Sequence, residues 1–324
     1  MRILIALGRS ALLRRGEPMT MSHQIANIRR AAQQIARLAD GNQLVIAHGN
    51  GPQVGLLALQ AAAAGATGAA PLDVLDAESE GMIGYLLEQE LANALPPHRQ
   101  VATLLTRVEV DADDPAFIHP TKPIGPVYTE AQAERLVIST SWTVARDGAG
   151  FRRVVASPKP RRIAALQPIQ CLLDHDTVII AAGGGGIPVT VSADGRTRCG
   201  VEAVIDKDLC SALLAADVGA DLLLIATDVD AVYADWHTPC ECVLREVSVA
   251  GLRSMSFPAG SMGPKVEAAC EFVSRTGRQS SARSIASKRW RAARQARVSC
   301  ACKPGSAGSP SAHPDEVLRT LLSR

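Results

Sequence analysis

The sequence predicts an α/β protein in which helices cover a mainly parallel sheet, and three features carry that prediction. Short apolar runs of strand length alternate with stretches of helical spacing. Several of those runs end in glycine turns. The 324 residues, 47% of them hydrophobic, also suffice to bury a large core. Residues 3–7 open as a buried strand. Ile25, Ile28, Ile35 and Leu38 follow at helical spacing, 44–47 reads as a second strand, and another helix begins near Pro52. Further strands are expected at 100–105, 177–181 and 222–226, and helices at 80–94, 207–216 and 264–274. Between 115 and 168 the rhythm breaks into proline-rich, basic sequence, including PTKPIGPVY and RRVVASPKPRR. That stretch reads as an excursion from the sheet, a small lid, because the strand at 177–181 resumes the earlier pattern. No internal repeat is visible.

Composition excludes several classes. The best candidate for a membrane span, 209–229, is interrupted by Asp217, Asp221 and Asp228. The apolar run after Met1 and Arg2 is too short for a signal peptide and is cut off by Arg9, so a cytoplasmic protein is expected. Eight cysteines are scattered without the C-x2-C spacing of a zinc site, which reads as free thiols and assigns no metal site. The formal charge of +2 is uneven: 275–297 holds seven arginines and Lys288 with no acidic residue, against a mildly acidic body. A solvated tail explains those cations better than nucleic-acid binding does.

Three strand ends run into turns suited to anions: Gly8-Arg9-Ser10, HGNGPQ at 48–53 and GGGGIP at 183–188. Glycine lets backbone N–H groups approach a ligand closely, and a following helix N-terminus adds a favourable dipole. Taken singly, each turn is no more than a tight connection. Lysines in unusual settings add to the signal, because phosphoryl transfer gathers negative charge that cations must offset. Lys207 sits between Asp206 and Asp208, Lys265 opens a helix where a cation opposes the dipole, and Lys122 lies in the proline-stiffened PTKPIGP. There is no G-x-x-x-x-G-K-[ST] loop, and GGGGIP lacks the dinucleotide spacing, which argues against P-loop kinases and Rossmann dehydrogenases.

The motifs VIAHGNGPQVGLL, HPTKPIGPVY, RRVVASPKP, AGGGGIPV, GVEAVIDKDL, ATDVDAVY and GSMGPKVEAA resemble carbamate kinases of the amino-acid-kinase fold, over roughly residues 1–276. The resemblance implies a three-layer αβα sandwich with a mainly parallel central sheet, a protruding lid at about 115–168 and a cytoplasmic homodimer active in arginine catabolism. It implies reversible phosphoryl transfer between ATP and carbamate, usually run toward ATP from ADP and carbamoyl phosphate, with Mg²⁺. Carried over by position, Lys207 and Lys265 would neutralise the transferring group, Asp208 would steady the two ammonium groups, and Lys122 would reach in from the lid. Gly8, Ser10, Gly49, Asn50, Gly183 and Gly184 would line the carbamoyl phosphate site. Thr227, Asp228, Tyr233, Met262 and Lys265 would lie near the nucleotide. An amino-acid-carboxylate kinase is disfavoured by the lid sequence and IDKD.

Two departures from the family pattern stand out. The pattern at 8–10 is Gly-Gly-Asn, where this chain has Gly8-Arg9-Ser10. Loss of the second glycine is expected to forbid a left-handed turn, and loss of the asparagine to remove an amide from the site. Activity is then expected to fall by orders of magnitude, and the alternative is an inactive homologue that retains nucleotide binding or dimerisation. After Gly277 the family continues with a strand like Ala-Val-Ile-Gly-Ser-Leu, where this chain reads RQSSARSI. Codons for 278–285, read out of phase, can encode Ala-Val-Ile-Gly-Ser-Leu-Asp. The tail 277–324 is therefore expected to be a frameshift product or a disordered basic extension, and the sheet to lose a strand. Peptide masses from the protein's end, set beside the gene sequence, distinguish these outcomes.

Overall fold

A computed structural model describes residues 1–284 and 317–319, apart from 15, 64–69, 141, 228, 230, 237, 239, 245 and 259–261. The chain begins with β1 (Arg2–Leu7), α1 (Met21–Ala36), β2 (Gln43–His48), α2 (Gly51–Ala63) and α3 (Leu72–Ala94). It continues through β3 (Val101–Leu104), β4 (Arg107–Val110), β5 (Lys122–Tyr128), α4 (Glu130–Thr140), β6 (Val144–Asp147), β7 (Gly150–Val155) and β8 (Pro160–Ile163). Then come α5 (Leu166–Asp174), β9 (Val178–Ala181), β10 (Ile187–Val191), β11 (Arg198–Gly200), α6 (Lys207–Asp217) and β12 (Leu222–Thr227). The last elements are β13 (Val232–Ala234), β14 (Cys242–Leu244), β15 (Glu246–Ser248), α7 (Val249–Arg253), α8 (Gly263–Thr276), β16 (Gln279–Ser284) and β17 (Val317–Arg319).

The central sheet runs β16-β12-β1-β2-β9-β3, with every pair parallel. Its strands read as continuous apolar runs because both faces are covered, and alternate residues divide between two cores. Leu4 and Ala6 pack with α5, α6 and α8, where Leu173, Leu214 and Phe272 are buried. Ile3, Ile5 and Leu7 face the other way, against Ile28 and Ile35 of α1 and Ile83, Leu87 and Leu91 of α3. Three layers follow directly from that alternation.

A second sheet, β11-β10-β4-β8, lies outside this frame, and a third, β5-β7-β6, carries α4 and forms the lid. The lid's own sheet spans 122–155, inside the excursion expected at 115–168, while β8 returns to pair with β4. The lid rests on α2 at a point where only glycine fits. A Cβ on Gly55 would stand 2.0 Å from Gly125 Cα, and Gly125 itself has φ +72°. The six described cysteines are free thiols.

The expected loss of a strand after Gly277 is not met. Gln279–Ser284 forms β16, paired residue for residue with β12 from Leu222↔Gln279 to Thr227↔Ser284. Strand pairing is a backbone property, so polar side chains do not forbid it. Their cost shows in the packing. Ser280 is fully buried and donates to Leu223 O at 3.3 Å, whereas the buried Ser281 Oγ has no partner among the described residues. The sheet thus extends past 276, the boundary drawn from the sequence. Of the tail beyond it only β17 is described, antiparallel to β15, and the expected disorder of the remainder lies outside the described residues. Replacing Ser281 with Ala removes a buried, partnerless hydroxyl and should raise the unfolding free energy by about 1 kcal/mol. Chemical denaturation measures this, and an unchanged midpoint would mean that the hydroxyl is satisfied.

Candidate active site

The C-terminal ends of parallel strands are where an α/β sheet offers ligands its loops. At that edge β1 leads into Gly8, β2 ends in His48 and leads into Gly49, β9 leads into Ala182 and Gly183, and β12 ends in Thr227. The α6 helix begins beneath it, and its first turn carries the charged centre. Asp206 caps the helix, its Oδ1 accepting from the Asp208 N–H at 2.9 Å and the Leu209 N–H at 3.3 Å. Its other oxygen accepts from Lys122 Nζ at 2.7 Å, so the lid lysine is tied to the cap of a core helix.

Asp208 is 3% exposed and accepts from two ammonium groups, Lys207 Nζ on Oδ1 and Lys265 Nζ on Oδ2, the latter at 3.1 Å. Lys265 stands in the first turn of α8, where the dipole disfavours a cation, and Asp208 supplies the offsetting charge. Burial alone would raise the carboxyl of Asp208, but Lys207 and Lys265 hold it below the usual range. Asp206 lies well below that range for the same reason, with burial opposed by Lys122 and Lys207. Burial draws the Lys207 ammonium below its ordinary value, with Asp208 opposing. Three cations face two carboxylates, which leaves positive charge in excess for an anion.

Gly49 lies against the Lys207 side chain: a Cβ there would stand 3.3 Å from Lys207 Cδ. Its N–H bonds Leu7 O at 3.1 Å. Asn50 is 2% exposed and bonds Asp76 and Ser79 of α3. Gly183 and Gly184 form a tight turn pressed on these groups. A Cβ at Gly183 would meet His48 Nε2 at 2.3 Å and Glu80 Cγ at 2.8 Å, and one at Gly184 would meet Asn50 Nδ2 at 2.3 Å. The Gly183 amide is not offered to a ligand, since it donates to Glu80 Oε1 at 2.8 Å. Gly183 therefore shapes the turn from behind.

The turn at 8–10 differs from expectation in its backbone. Gly8 has φ −73° and Arg9–Ala11 is a short 3-10 helix, so no left-handed residue is needed and arginine fits the chain path. Arg9 is exposed and close enough to the buried lid residue Arg152 to be repelled by it. The Ser10 side chain and Asp228 lie outside the described residues. Thr227 is buried at the end of β12, Met262 packs beside the α6 and α8 core just before Lys265, and the Tyr233 ring in β13 packs at a tilt of 55° against Trp236, centroids 4.8 Å apart.

Asp76, Ser79, Glu80, His48 and Thr106 were not singled out from the sequence. Glu80 is 1% exposed, and both its oxygens accept backbone amides, from Gly183 and, at 3.1 Å, from Thr106. The signal was present: Asp76, Ser79 and Glu80 fall on the same helical stripe as Leu72, Leu75, Ile83 and Leu87, all buried. Placing the helix start at 80 hid its first two turns.

Burial pushes Glu80 up to about 8 from an ordinary 4.5, against the pull of its amide donors. The folded state holds this proton in a window where the unfolded chain has released it, so stability falls as pH rises from near 4.5 toward 8. Asp76, raised by burial, acts in the same direction. Urea titrations from about pH 5 to about pH 8 should show wild type losing on the order of 2 kcal/mol more than Glu80→Gln. Parallel slopes would mean that Glu80 is ionised throughout.

Comparison with known proteins identifies the family to which this fold belongs. The profile of the amino acid kinase family matches residues 1–281. A carbamate kinase of Rhizobium meliloti is 58% identical over 279 residues, covering 86% of each chain. One of Haemophilus influenzae is 55% identical over 278 residues, 86% of this chain and 89% of that one. Among solved structures, carbamate kinase from Giardia lamblia bound to AMP-PNP superposes with a TM-score of 0.79 at 38% identity, covering 88% of this chain and 93% of the other. The protein belongs to the amino acid kinase family and, within it, groups with the carbamate kinases.

Proposed function

We propose that the protein is a carbamate kinase, moving a phosphoryl group between ATP and carbamate, and that the three lysines and two aspartates at the α6 N-terminus are its charge-compensating centre. The observation that carries this reading is the convergence of Lys122, Lys207 and Lys265 on Asp206 and Asp208 at the sheet's glycine-lined edge. In the direction of ATP synthesis, a terminal phosphate oxygen of ADP attacks the phosphorus of carbamoyl phosphate. The bond from phosphorus to the carbamate oxygen breaks, and carbamate leaves as an anion that needs no proton. Catalysis then consists of alignment and charge stabilisation, which suits a site built on ammonium groups.

Lys207 and Lys265, spaced by Asp208, neutralise the oxygens of the transferring group. Asp208 sets their separation without touching substrate, and Lys122 closes the site from the lid, where an anion competes with Asp206 for its ammonium. Gly8, Gly49, Asn50 and Gly184 bound the carbamoyl phosphate end. Thr227, Tyr233 and Met262 belong to the nucleotide side, with Trp236 an addition beside Tyr233. Mg²⁺ accompanies nucleotides in such reactions, and substrate phosphates commonly supply most of its ligands. The oxygens of Asp206 and Asp208 are already engaged by ammonium and amide donors, so these two residues do not fit a protein-bound ion. Charge compensation is assigned here to the lysines alone. A cytoplasmic homodimer in arginine breakdown is the setting the family suggests.

ATP formation from ADP and carbamoyl phosphate by the purified protein tests the reading directly. Lys265→Met should lower kcat by about 10²–10³-fold with the fold retained. A loss below about threefold would remove Lys265 from the centre. Arg9→Gly combined with Ser10→Asn leaves the backbone as it is, relieves the repulsion between Arg9 and Arg152 and supplies the family's amide, and should raise turnover at least about tenfold, one decade being ~1.4 kcal/mol of barrier. No gain would mean that Arg9 and Ser10 serve the reaction as they stand.

A further inference from the structure

The amide of Asn50 is locked in one orientation. Its Nδ2 donates to Asp76 Oδ1 at 2.9 Å and to Ser79 Oγ at 2.8 Å, which uses both of its hydrogens. Exchange of the amide oxygen and nitrogen would cost the Ser79 hydroxyl its bond to the Asp76 carbonyl. The Ser79 hydroxyl commits its hydrogen to the Asp76 carbonyl at 3.0 Å, so toward Asn50 it can only accept. Oδ1 is therefore the amide atom left without a partner, while Nδ2 is the atom nearest Gly184. No described residue donates to it, and it is not sealed from solvent.

Among the described residues the other groups at this edge donate, are already engaged, or, like Asp76 Oδ2 and His48 Nε2, lack a partner but are sealed from solvent. Lys122, Lys207 and Lys265 donate, the oxygens of Asp206 and Asp208 are held by ammonium and amide groups, and Glu80 by two amides. Ammonium groups and backbone amides read phosphoryl and acyl oxygens, which carbamoyl phosphate shares with any acyl phosphate. What sets carbamate and carbamoyl phosphate apart is an –NH2 group, a donor that calls for an acceptor.

We propose that Asn50 Oδ1 recognises the amino end of carbamate and carbamoyl phosphate, and that Ser79 and Asp76 are positioning residues that keep this acceptor turned toward the substrate. The proposal rests on the carbamate kinase reading above. A site built to pair a substrate N–H discriminates strongly against an analogue that lacks it, because the acceptor is then buried without a partner. Acetyl phosphate is that analogue, with a methyl group in place of the amino group.

The test is the ratio of kcat/KM for carbamoyl phosphate over acetyl phosphate, in ATP formation from ADP, for wild type, Asn50→Ala, Ser79→Ala, Asp76→Ala and Asp76→Asn. Wild type should favour carbamoyl phosphate. The ratio should fall about tenfold in Asn50→Ala and several-fold, roughly, in Ser79→Ala and Asp76→Ala. Asp76→Asn, which keeps an oxygen acceptor for Asn50, should retain it. A merely structural role lowers both substrates alike and leaves the ratio unmoved. An unmoved ratio in Asn50→Ala overturns the recognition role, and one unmoved in both Ser79→Ala and Asp76→Ala overturns the positioning role. Wild type that makes no ATP from either donor would fail the kinase reading instead. The same ratio is then read from the protection each acyl phosphate gives against thermal unfolding, with the same outcomes deciding.

Discussion

The site depends on a buried carboxylate shared by two ammonium groups. Asp208 brings together Lys207, its own chain neighbour, and Lys265 from α8, while Asp206, one turn edge away, fastens the lid through Lys122. Buried charges of one sign repel unless something stands between them, and removing a partner from such a set is far more disruptive than removing the set. The arrangement therefore fixes where α6, α8 and the lid stand relative to one another. Among the described residues it also leaves three ammonium groups against two carboxylates, an excess of positive charge. On the proposed carbamate kinase reading, the contacts that hold the resting structure together are also those that would meet a phosphoryl group.

A second, less visible layer lies behind the first. The N-terminal half of α3 turns Asp76, Ser79 and Glu80 toward the sheet edge, and its C-terminal half turns Ile83, Leu87 and Leu91 onto the sheet. One helical stripe thus changes character along its length, from polar groups that hold loops to apolar groups that fill a core. Glu80 takes up the amides of Gly183 and Thr106, and Asn50 is gripped by its neighbours on the same helix. Neutral His48, drawn down to about 4 by burial, packs against the same glycine and donates from Nδ1 to Gly49 O at 3.1 Å. Side chains larger than hydrogen at 183 or 184 would push this layer apart, which is why glycine is required there.

How much of this was legible in the sequence depended on what each element buries. The strands of the central sheet read clearly because both their faces are covered, so Ile3, Leu4 and Ile5 are all apolar. The lysines and IDKD stood out because charge between apolar runs is conspicuous. The α3 acids did not, since a carboxylate in a long helix reads as surface until its register against Leu72 and Ile83 is counted. The turn at Arg9 was misjudged for another reason: glycine signals permission for a left-handed backbone, and permission is not use. At Gly8 the chain stays at φ −73°, where any residue is at ease.

The edge strand β16 shows the converse. Nothing in Gln279–Ser284 has the β-branched or aromatic character that marks a strand, yet it pairs with β12 through six residues. Two influences outweigh composition. The α8 helix delivers the chain to the open edge of β12, and Arg278 fixes the entry by donating to Ala220 O at 2.9 Å and pairing with Asp221 at 3.3 Å. Once the chain arrives there, the backbone groups of β12 need partners, and any segment without proline can supply them. Sequence preference then governs how stable the strand is, and topology governs where it lies. The cost of that placement is carried by the strand itself, in the buried Ser281 hydroxyl with no partner among the described residues.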